Sequence, residues 1–241
     1  MIDIYNLPLY YISFHKNQAL ETRLGDQGFN DVHHFRSIDG RAFDPFDLRN
    51  DGIISIRSFT DLITKRRDHA GLPSQGAVGC TMSHEALWQK CADGDMKYMI
   101  IVEEDVKFTR QFTKSDIKYI NNTLSYNNGL FTSGNFKDGK STYVQGLQFY
   151  IITQTAAKVL VEHCYPIDVQ TDYYIAHLHQ TGLIKVDGYL LTSQYLHKSK
   201  IQDVCIICML PSNNARYMSF AVVLLIMVVI GISLSIRCYM T

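Results

Sequence analysis

The sequence predicts an α/β fold in which helices flank a mostly parallel central sheet. A strand, a helix and a second strand are predicted in that order over residues 7–38, and this order is typical of a parallel sheet. Four consecutive apolar residues at 99–102 lie between polar ones, as in a strand that is buried on both of its faces. We therefore expect one domain organised around residues 97–107, followed by an apolar C-terminal segment.

Composition limits the possible classes of function. The chain has 241 residues, of which 46% are hydrophobic and 19% charged, so it can bury a core of ordinary size. Its formal net charge is zero, which argues against nucleic acid as a general partner because phosphate neutralisation requires an excess of Lys and Arg. Six cysteines form no disulfide framework, and the C-x-x-C pair of Cys205 and Cys208 has no second pair at zinc spacing.

The first elements are predicted from apolar spacing and turn residues. Residues 7–14 form an apolar strand, residues 18–28 have the spacing of a helix that ends at glycine, and residues 32–38 form a short strand. A turn follows at 39–41. Residues 43–72 show no clear period, so we expect an irregular segment that either covers a site or is solvated surface.

A helix is predicted over residues 78–91, where apolar residues recur at helical spacing. Gly76 and Gly79 near its start allow another part of the backbone to approach closely. Ser83 and His84 lie within this helix. A single helical histidine is more often a core or surface residue than a functional one, so chemistry alone leaves the role of His84 open.

Three acids, Glu103, Glu104 and Asp105, follow the apolar run at 99–102. Ligands of open α/β sheets bind beyond the carboxyl ends of strands, and hard cations prefer carboxylate oxygens. In an extended chain, Glu103 and Asp105 project to one side and Glu104 to the other. The triplet therefore predicts a site for a divalent metal ion and a diphosphate, with a solvated acidic turn as the alternative.

The second half of the domain continues the alternation of helices and strands. The predicted segments are a helix at 108–119, a long polar loop at 121–140, a strand at 143–153, a helix at 154–163, and strand-like segments at 183–191 and 192–196.

Two further acids, Asp168 and Asp172, follow Pro166 and are four residues apart. They share one face if this segment is helical, and two carboxylates there could supply a general base. The alternative is that Asp168 caps a helix and that Asp172 is solvated.

An uncharged apolar run covers residues 217–236, between Arg216 and Arg237. About 20 apolar residues match the ~30 Å hydrocarbon core of a bilayer. We therefore expect a main domain at 1–205, a linker at 206–216, one C-terminal transmembrane helix at 217–236 and a short tail at 237–241. The N-terminus lacks the features of a signal peptide. The expected location is thus a membrane, with a single-pass C-terminal anchor and the main domain on the cytosolic side.

The motifs, taken together and in order, resemble glycosyltransferase family 25, which includes bacterial lipooligosaccharide galactosyltransferases and the collagen galactosyltransferase domain. The resemblance covers roughly residues 8–203. It rests on I-D-G-R at 38–41, G-x-x-G-C-x-x-S-H-x-x-x-W at 76–88, V-E-E-D-V at 102–106, A-A-K-V-L at 156–160, P-I-D at 166–168 and S-x-I-Q at 199–202.

This resemblance implies a GT-A-like fold and an enzyme that takes its sugar from a nucleotide diphosphate. Glu103 and Asp105 would hold Mn²⁺ or Mg²⁺ against the diphosphate of a UDP-sugar donor. Asp168 falls on the acid of the P-I-D motif, and either Asp168 or Asp172 would take the proton of the acceptor hydroxyl. The positions expected to contact the donor are Gly79, Ser83, His84 and Glu104.

Two functions from different classes follow. The first is a metal-dependent inverting glycosyltransferase that moves a hexose, galactose or glucose, to a hydroxyl of a glycan, lipid-linked or protein acceptor beside a membrane. The second is a catalytically inactive relative that acts as a membrane scaffold or binding protein. The retained acids at 103 and 105 favour the first, whereas residues 12–16, which replace the family's N-L-x-R near the first strand, favour the second.

Overall fold

The computed structural model describes residues 2–64, 71–72, 74–137, 143–189 and 191–192. Within these ranges the strands are β1 (Leu9–Ser13), β2 (Val32–Arg36), β3 (Tyr98–Glu103), β4 (Gly129–Thr132), β5 (Asn135–Lys137), β6 (Tyr143–Gln145), β7 (Phe149–Thr153) and β8 (Lys185–Gly188). The α-helices are α1 (Gln18–Asp26), α2 (Pro45–Asn50), α3 (Ile56–Thr64), α4 (Gln75–Asp93), α5 (Lys114–Leu124), α6 (Gln154–Cys164) and α7 (Thr171–Gln180).

The central sheet has six strands in the order β2-β1-β3-β7-β4-β8. Strand β1 pairs in parallel with β2 and β3, and β4 pairs in parallel with β8, whereas β7 runs antiparallel to both of its neighbours. The predicted α/β class and mostly parallel sheet are therefore confirmed, with one reversed strand. Strand β7 can return directly beside β4 because antiparallel neighbours need no crossover helix.

The two faces of the sheet bury separate apolar clusters. On strand β3, Met99 and Ile101 pack into the cluster that contains residues of α4 and α6, and Ile100 and Val102 pack into the one that contains residues of α1 and α5. This alternation is the period of two of an extended chain. Glu103, the next residue after Val102, therefore points to the face that α4 covers.

The prediction that residues 43–72 are irregular is wrong, because α2 and α3 lie within this range. Helix α2 begins after Asp44, whose side chain accepts a hydrogen bond from the Phe46 N–H at 2.7 Å, and Pro45 is its first residue. Both are helix-start signals, but six residues are too few to display an apolar period. The basic run at 65–67 lies outside the described residues.

The long loop predicted at 121–140 is also wrong. Helix α5 begins at a capping box formed by Thr113 and Asp116 and continues to Leu124, so the helix predicted at 108–119 is shifted toward the C-terminus. Strand β4 follows, with all four residues buried between β7 and β8. A run of four residues is too short to stand out from the Asn- and Gly-rich sequence around it.

The strand predicted at 143–153 is divided into β6 and β7. Gly146 lies between them with φ +84°, a left-handed conformation that ends the extended chain and favours glycine.

No helix within the described ranges is long and apolar enough to cross a bilayer. The predicted linker at 206–216, transmembrane helix at 217–236 and tail at 237–241 lie outside the described residues.

Candidate active site

Helix α4 is held against the end of β2 by backbone contact at two glycines. A Cβ atom on Gly79 would lie 2.3 Å from the Gly40 nitrogen and 2.4 Å from the Ile38 oxygen, and one on Gly40 would lie 1.9 Å from the Gln75 oxygen. Neither position accommodates a side chain. The I-D-G-R and G-x-x-G-C motifs therefore meet because each lacks a Cβ atom where the two backbones touch.

Ser83 strengthens the same contact. Its buried hydroxyl donates to the Gly79 carbonyl at 2.7 Å and accepts from the Ile38 N–H at 2.8 Å. The structure thus gives Gly79 and Ser83 packing roles, and their contact with a donor stays a prediction.

His84 lies at the centre of a buried hydrogen-bond chain. Its Nδ1 is 2.8 Å from the Tyr150 hydroxyl, its Nε2 is 3.2 Å from Glu103 Oε1, and Trp88 Nε1 is 2.9 Å from the same Tyr150 hydroxyl. Indole N–H can only donate, so the Tyr150 oxygen accepts from Trp88 and its own proton goes to His84 Nδ1. That network assigns the remaining imidazole proton to Nε2, which donates to the Glu103 carboxylate.

Burial raises the pKa of Tyr150 well above its usual range, and the nearby Glu103 charge acts in the same direction. The phenol therefore stays protonated and keeps its proton for His84. The chain Trp88–Tyr150–His84–Glu103 fixes the carboxylate at the carboxyl end of β3, with every link made by a residue that α4, β3 or β7 supplies.

Only the first of the three acids lies in the extended strand, so the alternation predicted for an extended chain does not apply beyond Glu103. Glu103 is the last residue of β3, and the Val106 N–H donates to its carbonyl at 3.1 Å, which closes a turn containing Glu104 and Asp105. The Glu103 side chain is 29% exposed, and Glu104 and Asp105 are exposed.

Cys80 lies close to His84 and Glu103, and the sequence analysis did not identify it as a candidate site residue. One donor atom each from Cys80, His84 and Glu103 lies within 4.8 Å of the others. Burial raises the pKa of the Cys80 thiol well above its usual range. The negative charges of Glu103, Asp172 and Asp105 raise it further. The available signal was the spacing of Cys80 and His84, which are four residues apart and so share one face of α4.

Asp172 lies beside this group. Its Oδ2 accepts a hydrogen bond from the Gly146 N–H at 3.0 Å. Burial raises the pKa of Asp172, the Glu103 charge raises it further, and the Gly146 N–H and the nearby His84 oppose both. The start of α7, where Asp172 lies, also favours its ionised form through the helix dipole.

Asp168 lies apart from that group. The Ser55 hydroxyl donates to Asp168 Oδ1, and Arg57 Nη1 is 3.5 Å from Oδ2. Helix α7 begins at Thr171, after Asp168, so the helix face that the two acids were predicted to share does not exist. Ser55 also accepts from the Ser58 N–H at 3.1 Å, so Asp168 supports the start of α3.

The donors at the end of β3 fit the divalent cation that the sequence predicts. Glu103 is partly exposed and Asp105 is exposed, and both offer the carboxylate oxygens that Mn²⁺ and Mg²⁺ prefer. The Asp105 charge also raises the pKa of Cys80, and a donor atom of Cys80 lies within 4.8 Å of one of Glu103.

Comparison with known proteins gives one family match. Residues 30–143 match the family model described as Glycosyltransferase family 25 (LPS biosynthesis protein). The chain is 27% identical to procollagen galactosyltransferase 2 of Homo sapiens over 86 residues, which are 36% of this chain and 13% of that protein.

Two other relatives illustrate the range of the match. A glycosyltransferase 25 family member of Drosophila pseudoobscura pseudoobscura is 24% identical over 110 residues, which are 46% of this chain and 17% of that protein. Lipooligosaccharide biosynthesis protein lex-1 of Haemophilus influenzae is 26% identical over 141 residues, 49% of this chain and 46% of that protein. The match thus spans less than half the length of each of these relatives.

These matches confirm the resemblance that the motifs predict. His84, Glu103 and Asp105 lie within the residues that the family model matches, and so does Cys80. Asp168 and Asp172 lie beyond that match.

Proposed function

Because this chain is related to glycosyltransferase family 25, we propose that it is a GT-A-like inverting glycosyltransferase. It moves a hexose, galactose or glucose, from a nucleotide diphosphate sugar to a hydroxyl of a glycan, lipid-linked or protein acceptor. The observation that carries this proposal is the hydrogen bond of His84 with Glu103 at the carboxyl end of β3, together with the Thr81–Thr171 hydrogen bond that brings the start of α7, with Asp172, to the same helix. Open α/β sheets bind ligands at that end of their strands.

Asp172 is the general base of the proposed reaction. The acceptor oxygen attacks the anomeric carbon, its proton passes to the Asp172 carboxylate, and the bond from the anomeric carbon to the diphosphate oxygen breaks with its electron pair. The raised pKa of Asp172 suits this role, because a more basic carboxylate removes a hydroxyl proton more readily. The Gly146 N–H orients the carboxylate through Oδ2.

Glu103 and Asp105 hold the proposed divalent cation. Mn²⁺ or Mg²⁺, when bound, would neutralise charge that develops on the leaving nucleoside diphosphate. His84 positions Glu103 through its Nε2–H, and Tyr150 and Trp88 fix the imidazole in turn.

We also propose that residues 217–236 span a membrane and that the main domain faces the cytosol. Twenty uncharged, mainly apolar residues support this proposal. The test is extraction of membranes from expressing cells with alkaline carbonate. Retention of the chain in the pellet is expected, and release of the chain but not of a known integral protein would contradict the proposal.

Calorimetric titration of the 241-residue chain with UDP tests the donor site. We expect UDP to bind in the presence of Mn²⁺ and to bind much more weakly without it. Asp105→Asn should weaken the Mn²⁺-dependent binding, whereas Asp95→Asn should not, because Asp95 is an exposed acid before the opposite end of β3.

Transfer is then measured as UDP release from a UDP-hexose in the presence of sugar acceptors. Absence of Mn²⁺-dependent UDP binding in the folded chain would instead favour the inactive scaffold, to which the altered residues 12–16 point.

A further inference from the structure

We propose that Cys80, His84 and Glu103 form a binding site for a transition-metal ion of the Zn²⁺ type. The Cys80 Sγ, an imidazole nitrogen of His84 and a carboxylate oxygen of Glu103 all lie within 4.8 Å of one another. Thiolate, imidazole and carboxylate are the ligand types of protein zinc sites, and three protein ligands leave a fourth position for water or another ligand. No role assigned above uses the Cys80 thiol.

Two elements set the geometry of this three-residue site. Cys80 and His84 are four residues apart on α4 and lie one turn from each other on the same face. Glu103 projects from the end of β3 toward that face, and its Oε1 is 3.2 Å from His84 Nε2. Two nitrogen or oxygen ligands on a tetrahedral zinc ion are about 3.3 Å apart, so this pair already has the required spacing.

Tyr150 supplies the outer partner that a metal-bound histidine requires. Zinc-binding imidazoles usually donate their second N–H to a neighbouring acceptor. When the ion binds Nε2, the imidazole proton moves to Nδ1, and the Tyr150 hydroxyl, 2.8 Å away, changes from the donor to the acceptor of that hydrogen bond. The Cys80 thiol loses its proton to solvent, so binding of one ion releases one proton.

The partial exposure of two of the three ligands gives an ion access to the site, and the chemical types of all three determine which ion binds. His84 is fully buried, whereas Cys80 and Glu103 are partly exposed, so an ion has access from the side of the carboxylate. Thiolate and imidazole ligands favour Zn²⁺ and Co²⁺, whereas Mn²⁺ and Mg²⁺ favour sites built from oxygen. The site therefore differs in chemistry from the proposed oxygen site at Glu103 and Asp105.

Both sites use Glu103, which has a regulatory consequence that rests on the proposed function. An ion held by Cys80 and His84 withdraws Glu103 from the cation that accompanies the donor. Zn²⁺ should then weaken Mn²⁺-dependent UDP binding in the unaltered chain and lose this effect in Cys80→Ala.

Absorption spectroscopy of Co²⁺ binding to the full chain tests the site directly. Cys205 and Cys208 are first replaced by serine, so that their C-x-x-C pair contributes no thiolate. We expect one equivalent of Co²⁺ to produce a thiolate-to-cobalt charge-transfer band in the near ultraviolet, and one equivalent of Zn²⁺ to remove it. Cys80→Ala should abolish this band and weaken Zn²⁺ binding by more than the ~10–100-fold that loss of an outer partner costs.

Two matched variants serve as controls. Cys91→Ala removes a buried cysteine from the same helix, and Asp105→Asn removes the ligand of the oxygen site alone, so both should keep the band. A missing band in the chain that retains Cys80, a band that survives in folded Cys80→Ala, or loss of the band in Asp105→Asn would each overturn the proposal.

If Cys80→Ala does not fold, as judged by circular dichroism, Glu103→Gln replaces it and should weaken Co²⁺ binding. This result is independent of donor binding, because UDP and Mn²⁺ are absent from the cobalt titration. Failure of the zinc site and failure of the transferase proposal are therefore distinguishable.

Discussion

Asp168 and Asp172 show how two acids four residues apart acquire different surroundings. Asp172 lies beside Glu103 and His84, whereas Asp168 accepts from Ser55 near the start of α3. A carboxylate that takes a proton in the transition state contributes typically 10²–10⁴-fold to a rate, by general principle. Of these two acids, Asp172 is the one whose pKa the Glu103 charge raises.

We predict that Asp172→Asn lowers kcat by about 10²–10⁴-fold, because asparagine cannot accept the hydroxyl proton. Initial rates of UDP release measure this effect. Asp168→Asn should retain much more activity and lower the melting temperature instead, because it weakens the contact with Ser55 and Arg57. Equal losses of kcat in the two variants would contradict the assignment of the base.

Tyr150→Phe removes the hydroxyl that connects Trp88 to His84, and leaves two buried nitrogens without this partner. An unsatisfied buried polar group costs about 1–3 kcal/mol, so for two such groups we expect a loss of about 2–6 kcal/mol in the free energy of unfolding. Urea titration measures it, and the emission of Trp88, the only tryptophan, should shift. Tyr173→Phe, which changes an exposed tyrosine, should alter neither.

At the scale of elements, the contact between α4 and the turn after β2 depends on glycine. Gly79→Ala would place a Cβ atom 2.3 Å from the Gly40 nitrogen, so the helix must shift, and we expect a destabilisation of about 1–3 kcal/mol. Gly25→Ala in α1 is the matched control, because its Cβ atom meets nothing within 4 Å. That control should leave stability equal or raise it by about 0.4–1 kcal/mol. Denaturant unfolding measures the free energy of unfolding of both variants. Equal changes in the two would contradict the packing role of Gly79.

Helix α5 has a pH-dependent start. Arg110 lowers the pKa of Asp116 well below its usual range, and Tyr189 and Thr113 add hydrogen bonds in the same direction. A folded pKa below the unfolded value of 3.8 means that the stabilisation is present above pH 3.8 and is lost as the pH falls through the folded value.

Asp116→Asn should therefore cost about 1–3 kcal/mol at neutral pH and reduce the further loss of stability on acidification. Melting temperatures measured between neutral and strongly acidic pH test this prediction. Asp26→Asn alters an exposed acid of α1 and should leave the acid response unchanged. An Asp116→Asn variant as sensitive to acid as the unaltered chain would refute it.

At the scale of the whole molecule, the site exists because α4 and α7 meet over the sheet. The hydroxyls of Thr81 on α4 and Thr171 on α7 are 2.9 Å apart and buried, although 90 residues separate them in sequence. Thr81 donates to the Ala77 carbonyl at 3.2 Å, so Thr171 donates to Thr81. This bond brings the start of α7, with Asp172, beside the helix that carries Cys80 and His84.

We expect a double-mutant cycle of Thr81→Val and Thr171→Val to give a coupling of about 0.5–1.5 kcal/mol, the usual net value of a hydrogen bond. Thr171→Val should also lower kcat, because it loosens the position of Asp172. Thr60→Val combined with Thr171→Val is the control pair, since the Thr60 hydroxyl bonds within the exposed face of α3. Coupling as large in the control pair would show that the effect is not this bond.

The elements with strong local signals could be predicted from the sequence. Strands β1, β2 and β3 and helices α1, α4 and α6 lie close to where apolar spacing and turn residues predicted them. Helix α2 and strand β4 were missed, because six and four residues are too few for a period. The spacing of apolar residues predicts a helix or strand only when that element is long enough for the spacing to recur.

The sequence by itself determined the α/β class, the buried strand that ends in Glu103, and the resemblance to glycosyltransferase family 25. Each depends on residues that are close in sequence or on motifs in fixed order. Only the tertiary structure decided that β7 runs antiparallel, that Asp172 rather than Asp168 lies near Glu103, and that Cys80 lies close to His84 and Glu103. These outcomes depend on contacts between distant segments, such as Tyr150 with His84, which the period of a single strand or helix does not record.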